Sequence, residues 1–279
     1  MVASGLQVDV LGELNVFVDG CRCDVPGSRK TRALLGYLLL QGRPVTREHL
    51  CDLLWPHPDN PRAALRWSLT KLRPLLNRDN EHLKADRTSV TVGGLAERVD
   101  LKRVDDLLRR PIAEIATVDL TEAATLFHGE VLEGLEIPDC HRFNAWRQAV
   151  AEAARQSHRV ILETLTTRLT EDPAAALVYA RTRVALDPLD EGAHVDVVRL
   201  LGRLGRTDEA RDQVARCRRI LDLELGVAPG PVLDEALRTV PSAPVTPVVP
   251  ISDKTQPPAG TVAAGLFGRA EECIRLEEF

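Results

Sequence analysis

The period of hydrophobic positions changes several times along the chain, and each change marks a new element. Residues 6 to 25, LQVDVLGELNVFVDGCRCDV, alternate at Val8 and Val10 and then at Leu14, Val16 and Val18, with Gly12 and Asp19-Gly20 as turn signals. Alternation puts successive side chains on opposite faces, so this stretch is predicted as a short antiparallel sheet. From Ser28 the spacing becomes helical. SRKTRALLGYLLLQG places Ala33, Leu34, Tyr37 and Leu38 on one side, with Ser28 as N-cap and Gly42 as the stop. A second helix is predicted in VTREHLCDLLWP, capped by Thr46, buried through Leu50, Leu53 and Leu54, and ended by Pro56.

The third helix is predicted in HPDNPRAALRWSLTKLRPLLN, residues 57 to 77. At about 100° per residue, Leu65, Leu69, Leu72 and Leu76 share one stripe, while Arg62, Arg66, Thr70, Arg73 and Asn77 fall on an arc centred about 100° away. Pro74 lies inside the segment, where a proline removes a hydrogen bond and crowds the preceding turn, so a kink or an early end is expected there. HLKADRTSVTV, residues 82 to 92, alternates around a polar tip at Asp86 and Arg87 and predicts a β-hairpin. Sheet, three helices and hairpin, in that order, give a winged helix with an N-terminal sheet.

After Asp100 the pattern is helical almost throughout: VDLKRVDDLLRR, DLTEAATLFHGE and the long CHRFNAWRQAVAEAARQSHRVILETLTTRL come first. Residues 173 to 226 then resemble themselves at a period of 34, with Ala176 matching Ala210, Ala180 matching Val214 and Leu186 matching Ile220. GRTDEA supplies the turn between antiparallel helices, a tetratricopeptide-like arrangement whose stacked pairs form binding or dimerisation surfaces. Gly226 is expected to close a helix. Proline-rich residues 241 to 263 read as a linker, and GLFGRAEECIRLEEF begins a further amphipathic helix. The predicted fold is therefore mainly α: a winged helix over 1–96 (short antiparallel sheet, three helices, β-hairpin wing), an all-α tetratricopeptide-like domain over 97–240, the linker over 241–263, and the start of a further domain over 264–279.

Charge sharpens the picture. The net charge is −5, yet residues 26 to 78 hold ten Lys or Arg against three acids, whereas residues 94 to 279 hold 23 basic against 31 acidic residues. A basic block beside an acidic remainder draws a polyanion to one place and keeps the rest of the molecule off it. Aromatic residues make up only 4% of the chain, which favours helices packed through aliphatic ridges and argues against a stacking platform for single strands; Trp55 and Trp67 are expected in the core or at a domain interface. No stretch has the length of apolar residues a membrane span needs, and no signal-peptide pattern opens the chain, so a cytoplasmic protein without membrane contact is expected. Six scattered cysteines lack zinc-site spacing, and Cys140 beside His141 has no third group to orient it as a nucleophile. No cofactor, metal or enzymatic activity is expected.

The words RALLGYLLLQGRPVTREHLCDLLWP (32 to 56), ALRWSLTKLRPLL (64 to 76), LDPLDEGAHVDVVRLLGRLGRTDEA (186 to 210) and LELGVAPGPVL (223 to 233) resemble the SARP-type bacterial transcriptional activators, across residues 5 to 240. In that family an OmpR-like winged helix precedes a bacterial transcriptional activator domain. The resemblance implies a sequence-specific regulator that binds direct repeats near promoters and contacts RNA polymerase, with a homodimer as a further possibility. LFGRAEE (266 to 272) looks like the lead-in to the NTPase module of larger members, but no G-x4-GK[ST] phosphate loop is present. Relatives end the wing in a Gly-Tyr pair; here TVGGLAERVD has no aromatic.

On this reading Arg62, Arg66, Thr70 and Arg73 face the major groove of double-stranded promoter DNA. Arg66 and Thr70 are assigned to bases, and Arg62, Lys71 and Arg73 to phosphates, because an arginine fork can bond two guanine acceptors whereas a phosphate contact positions without reading sequence. Thr46 and Arg47, at the start of the second helix, are candidates for a phosphate, with N-capping as the alternative for Thr46. Arg87 at the wing tip is a candidate for the flanking backbone. Two other classes fit the same words: the regulatory N-terminal portion of a signalling NTPase, and a tetratricopeptide scaffold whose winged head binds protein.

Overall fold

A computed structural model describes residues 5–56, 60–78 and 80–240. The linker and the further domain expected beyond residue 240 lie outside the described residues. The described residues belong to one compact unit.

Three short strands, β1 (Leu6–Asp9), β2 (Asn15–Val18) and β3 (Cys21–Cys23), pair antiparallel in sequence order, with Val8 opposite Val16 and Phe17 opposite Arg22. The two-residue turn into β3 uses Asp19 and Gly20, both at positive φ, which matches the twist of the flanking strands. Helix α1 (Arg29–Gln41) starts on Ser28, whose side chain accepts the Thr31 amide, and stops at Gly42 in the left-handed region. Strand β4 (Val45–Thr46) leads into α2 (Arg47–Leu54), and α3 (Pro61–Leu76) follows. The wing is β5 (Leu83–Ala85) and β6 (Ser89–Val92), with β4 on the far side of β6, so the hairpin expected from the sequence is the outer part of a three-stranded sheet.

Pro74 does not end α3: the helix runs through it to Leu76 and closes where the Asn77 amide meets the Arg73 carbonyl at 2.9 Å. Leu75 and Leu76, both beyond the proline, are buried. Burying two leucines stabilises by about 3–6 kcal/mol, enough to offset the roughly 3 kcal/mol that an interior proline costs.

Helix α4 (Asp100–Leu108) is joined to the N-terminal sheet by its first residue. The buried Asp100 carboxylate accepts the amides of Val10 (2.9 Å), Leu11 (2.8 Å) and Leu101 (2.6 Å). Burial pushes its pKa up to about 6 against the pull of those three donors. Helices α5 (Thr117–Ala124) and α6 (His141–Arg168) follow, then α7 (Pro173–Leu186), α8 (Glu191–Arg203), α9 (Thr207–Leu225) and α10 (Pro231–Arg238). The 34-residue period is the step from α7 to α9: Ala176 and Ala210 are both fully buried, as are Ala180 and, nearly so, Val214. Gly226 closes α9 at positive φ.

Two hydrophobic clusters hold the unit together. The larger one begins in β1, passes through α1–α3 and the wing, and continues across residue 96 into α4, α5 and α6 as far as Leu165. The second is built by α7–α10. Within the second, Arg183 is buried and bonds Asp190 (3.0 Å) and Asp196 (2.9 Å), fastening α7 to α8. Trp55 is in the core as expected, but Trp67 is not: 53% of it is exposed. On α3 it projects about 160° from Leu69, so the leucine stripe that sets the helix on the core turns Trp67 to solvent.

Candidate nucleic-acid interface

The site starts from the way α3 is seated. Asn60 caps it by accepting the Ala63 amide at 3.0 Å, and Pro61 takes the first helical position, where a missing N–H costs nothing. Leu65, Leu69, Leu72 and Leu76 all lie in the core, as the period requires. The Thr31 and Ser68 hydroxyls, 3.0 Å apart, tie α1 to α3 within it. With that face fixed, Arg62, Arg66, Thr70, Lys71 and Arg73 are all turned to solvent. Arg62, Arg73, Arg66 and Thr70 span about 80° of the helix, and Lys71 lies about 100° beyond Thr70. There its ammonium sits 5.5 Å from the centre of the Trp67 ring. The Thr70 hydroxyl donates to the Arg66 carbonyl at 3.0 Å, which leaves its oxygen and methyl as the groups it can present outward. Asn77, on the same arc in the sequence, is turned inward: its amide group exchanges two hydrogen bonds with the backbone of Leu83, at 2.8 and 3.1 Å, and holds the wing to the end of α3.

The wing is built around Asp86. One carboxylate oxygen accepts the Thr88 and Ser89 amides (each 2.7 Å) and the Thr88 hydroxyl, and the other accepts the Ser89 hydroxyl. These donors hold its carboxyl well below the usual carboxylate range. They also shape the tip, on which Arg87 stands exposed. Where an aromatic is missing from the wing, Leu83, Val90 and Val92 fill the core side. His82, bonded to the Gly93 carbonyl at 3.0 Å, lies against Gly94, whose positive φ favours glycine there.

The N-terminus of α2 is linked to this wing. The Arg47 amide donates to the Thr88 carbonyl and its Nε to the Asp86 carbonyl, each at 2.8 Å. Thr46 accepts the His49 amide at 3.3 Å. Capping is therefore the geometry Thr46 adopts, and two of the amides that could have met a phosphate already have partners.

These elements enclose one open groove of about 840 Å³. Five of the eight residues singled out from the sequence line it, namely Thr46, Arg47, Arg62, Arg66 and Arg87, while Thr70, Lys71 and Arg73 continue the basic surface of α3 outside it. Leu65 and Ala85 contribute apolar wall, and two carboxylates, Glu48 and Asp86, share the lining. Four arginines against two acids leave the groove positive. That Glu48 and Asp86 would share one groove was not legible beforehand, because their proximity arises from the pairing of β4 with β6 (Thr46 opposite Ser89), and a two-residue strand has no readable period.

The other candidates are inert by their surroundings. Cys140 is buried with its thiol toward the Leu54 carbonyl at 3.3 Å, and burial pushes its pKa up, the opposite of an activated nucleophile. Among the described residues no group of His, Cys, Asp and Glu is placed to hold a metal ion, and no helix is long and apolar enough to cross a membrane.

A basic helix face beside a wing, on a body of stacked helices, defines a winged-helix regulator. The chain matches the family model of the bacterial transcriptional activator domain over residues 74–240, and it belongs to that family, the SARP-type transcriptional regulators. Regulatory protein AfsR of Streptomyces coelicolor is 33% identical over 253 residues, and that of Streptomyces griseus 29% identical over 252. Each alignment covers 84% of this chain and 24% of the relative, so the chain spans about a quarter of the length of these curated proteins. In fold it is similar to Mycobacterium tuberculosis EmbR in complex with a low-affinity phosphopeptide, with a TM-score of 0.64 and 24% identity over 85% of this chain and 65% of that one.

Proposed function

We propose that this protein binds promoter DNA in a sequence-specific manner through α3 and the wing, and that its helical body passes the binding event on to transcription. One observation carries the reading. The leucine stripe of α3 is wholly consumed by the core, and the face left over is a run of cations flanked by a positive groove, in a chain of net charge −5. A helix about 10–12 Å across fits the major groove of B-DNA, and a wing beside it reaches the flanking backbone.

The residue roles follow from position. Arg66, in the middle of the exposed face, reads guanine, with Thr70 beside it offering an acceptor and a methyl to bases. Arg62, Lys71 and Arg73 take phosphates on either side, and Arg47 and Arg87 take the backbone that passes the wing. Residues 1–96 act as the DNA-binding head and 97–240 as the body. The family supports binding at direct repeats near promoters by two copies of the chain, and contact between the body and RNA polymerase.

A mobility-shift titration of promoter fragments from the source organism tests this. The wild-type protein is expected to select some fragments over a scrambled duplex, and Arg62→Ala with Arg66→Ala to lose that selection while staying folded. Equal retention of all fragments by both proteins would remove the reading.

A further inference from the structure

A second concavity lies where the loops after β1 and α5 meet α6 and α7. Its volume is about 390 Å³, and its wall is made of Leu11 from the loop after β1, Phe127 and Glu130 from the loop after α5, and the sides of α6 and α7 that face them. The floor is apolar, with Ala151 and Ala154 of α6 buried. Into this wall α6 places His158, only 9% exposed. Its ring stacks flat on Phe127, with centroids 4.0 Å apart and planes at 3°. Neither ring nitrogen has a hydrogen-bond partner among the described residues, and burial holds the pKa down at about 4, so the imidazole is neutral at ordinary pH. A buried polar group without a partner costs free energy comparable to a lost hydrogen bond, and most such groups in folded proteins are satisfied. The ring nitrogens are not sealed from solvent, so the cavity is the side from which water or an occupant can bond them.

The lining also defines what that partner is. The neutral imidazole offers one donor and one acceptor. At the rim Arg155 is already paired with Glu152 at 3.2 Å, and the exposed Glu130 carboxylate disfavours an anion, while the buried part of the wall, Leu11, Val131, Ala151, Ala154 and neutral His158, carries no charge. The volume falls at the lower end of small-molecule sites, which are mostly apolar with a few placed polar groups.

We infer that the cleft between α6, α7 and the loop after α5 binds a small uncharged molecule with a flat apolar body and one hydroxyl or carbonyl, which hydrogen-bonds His158. An occupant would touch Leu11 of the head and both helices of the body at once. The inference is independent of the DNA-binding reading and stands or falls separately from it.

The probe is 2-naphthol, with naphthalene as the same body lacking the hydroxyl, titrated against histidine-labelled full-length protein and followed by NMR. His158→Phe identifies the His158 resonance; it keeps the stack on Phe127 and removes both nitrogens. The expected result is a saturable shift of the His158 signal with 2-naphthol and about fivefold weaker binding of naphthalene, the ratio for one hydrogen bond of about 1 kcal/mol. In His158→Phe the two compounds should bind equally. Ala185→Trp, at an exposed lining position on α7, provides a variant outside the core: it should block the cleft, so that adding 2-naphthol no longer moves the His158 resonance from its position in that variant. Absence of a saturable shift at His158, a naphthol preference that survives in His158→Phe, or undiminished binding to Ala185→Trp would each overturn the proposal.

Discussion

The exposed cations of the head set a salt dependence that can be worked out in advance. Five of them are assigned to phosphates: Arg47, Arg62, Lys71, Arg73 and Arg87. Each neutralised phosphate releases counterions and contributes about −0.9 to the slope of log affinity against log salt, so one head on one half-site should give about −4.5. Between 50 and 200 mM salt that slope lowers affinity about 500-fold. Arg73→Ala removes one contact, which brings the slope to about −3.6 and the loss to about 150-fold. Arg66→Ala should behave differently. Its side chain is assigned to a base, so the slope stays near −4.5 while discrimination between the cognate and a mutated half-site falls by about 1–3 kcal/mol. Both residues are exposed, so urea denaturation should find each variant within about 0.5 kcal/mol of wild type, which separates lost contacts from lost fold. The assay is fluorescence anisotropy on a labelled half-site at four or more salt concentrations. A wild-type slope near zero, or a slope that moves with Arg66 and not with Arg73, would refute the assignment of these side chains.

Three further outcomes follow from the packing. His158 is held at about pKa 4 in the fold against an unperturbed 6.5, so between those values the unfolded chain binds a proton the folded one does not. Above pH 6.5 the group costs nothing in proton uptake, and as pH falls toward 4 it lowers stability by up to about 3 kcal/mol; wild type should lose up to that much relative to His158→Phe on acidification, and a difference independent of pH would show the ring is solvated. Arg183→Ala leaves Asp190 and Asp196 without their shared partner at the α7–α8 junction and should cost about 3 kcal/mol in urea unfolding at pH 7, whereas a change under 1 kcal/mol would mean the carboxylates rehydrate freely. Trp67→Ala should leave stability within about 0.5 kcal/mol of wild type, since the ring is half exposed, and a large loss in thermal melting would place that ring in an interface after all.

Most of the architecture was legible because it rests on period and caps. Ser28, Gly42, Thr46 and Gly226 mark the helix ends where the sequence placed them, and the leucines of α3 fall where a rotation of 100° per residue sends them. Two local rules were outweighed by tertiary packing. Pro74 stays inside a helix because Leu75 and Leu76 beyond it are anchored in the core, and Trp67 is exposed because the stripe that seats α3 leaves it no route inward. The basic face was readable as a list of cations, but the groove was not. Its walls come from residues about 40 apart in sequence, joined by the bond from Arg47 to the Asp86 carbonyl and by the pairing of β4 with β6. Neither leaves a trace in the periodicity. Nor did the sequence point to His158: it sits in an ordinary helical register, and only the stack on Phe127 and the absence of a partner among the described residues set it apart.

The central claim is that the basic face of α3 lies in the major groove, and methylation protection tests it most directly. Dimethyl sulfate attacks N7 of guanine, the major-groove atom to which Arg66 is assigned. With a selected promoter fragment saturated by the protein, guanines of the half-site should be shielded, and Arg62→Ala with Arg66→Ala should expose them again. Full methylation of every guanine in the half-site while the wild-type complex remains intact would contradict the account.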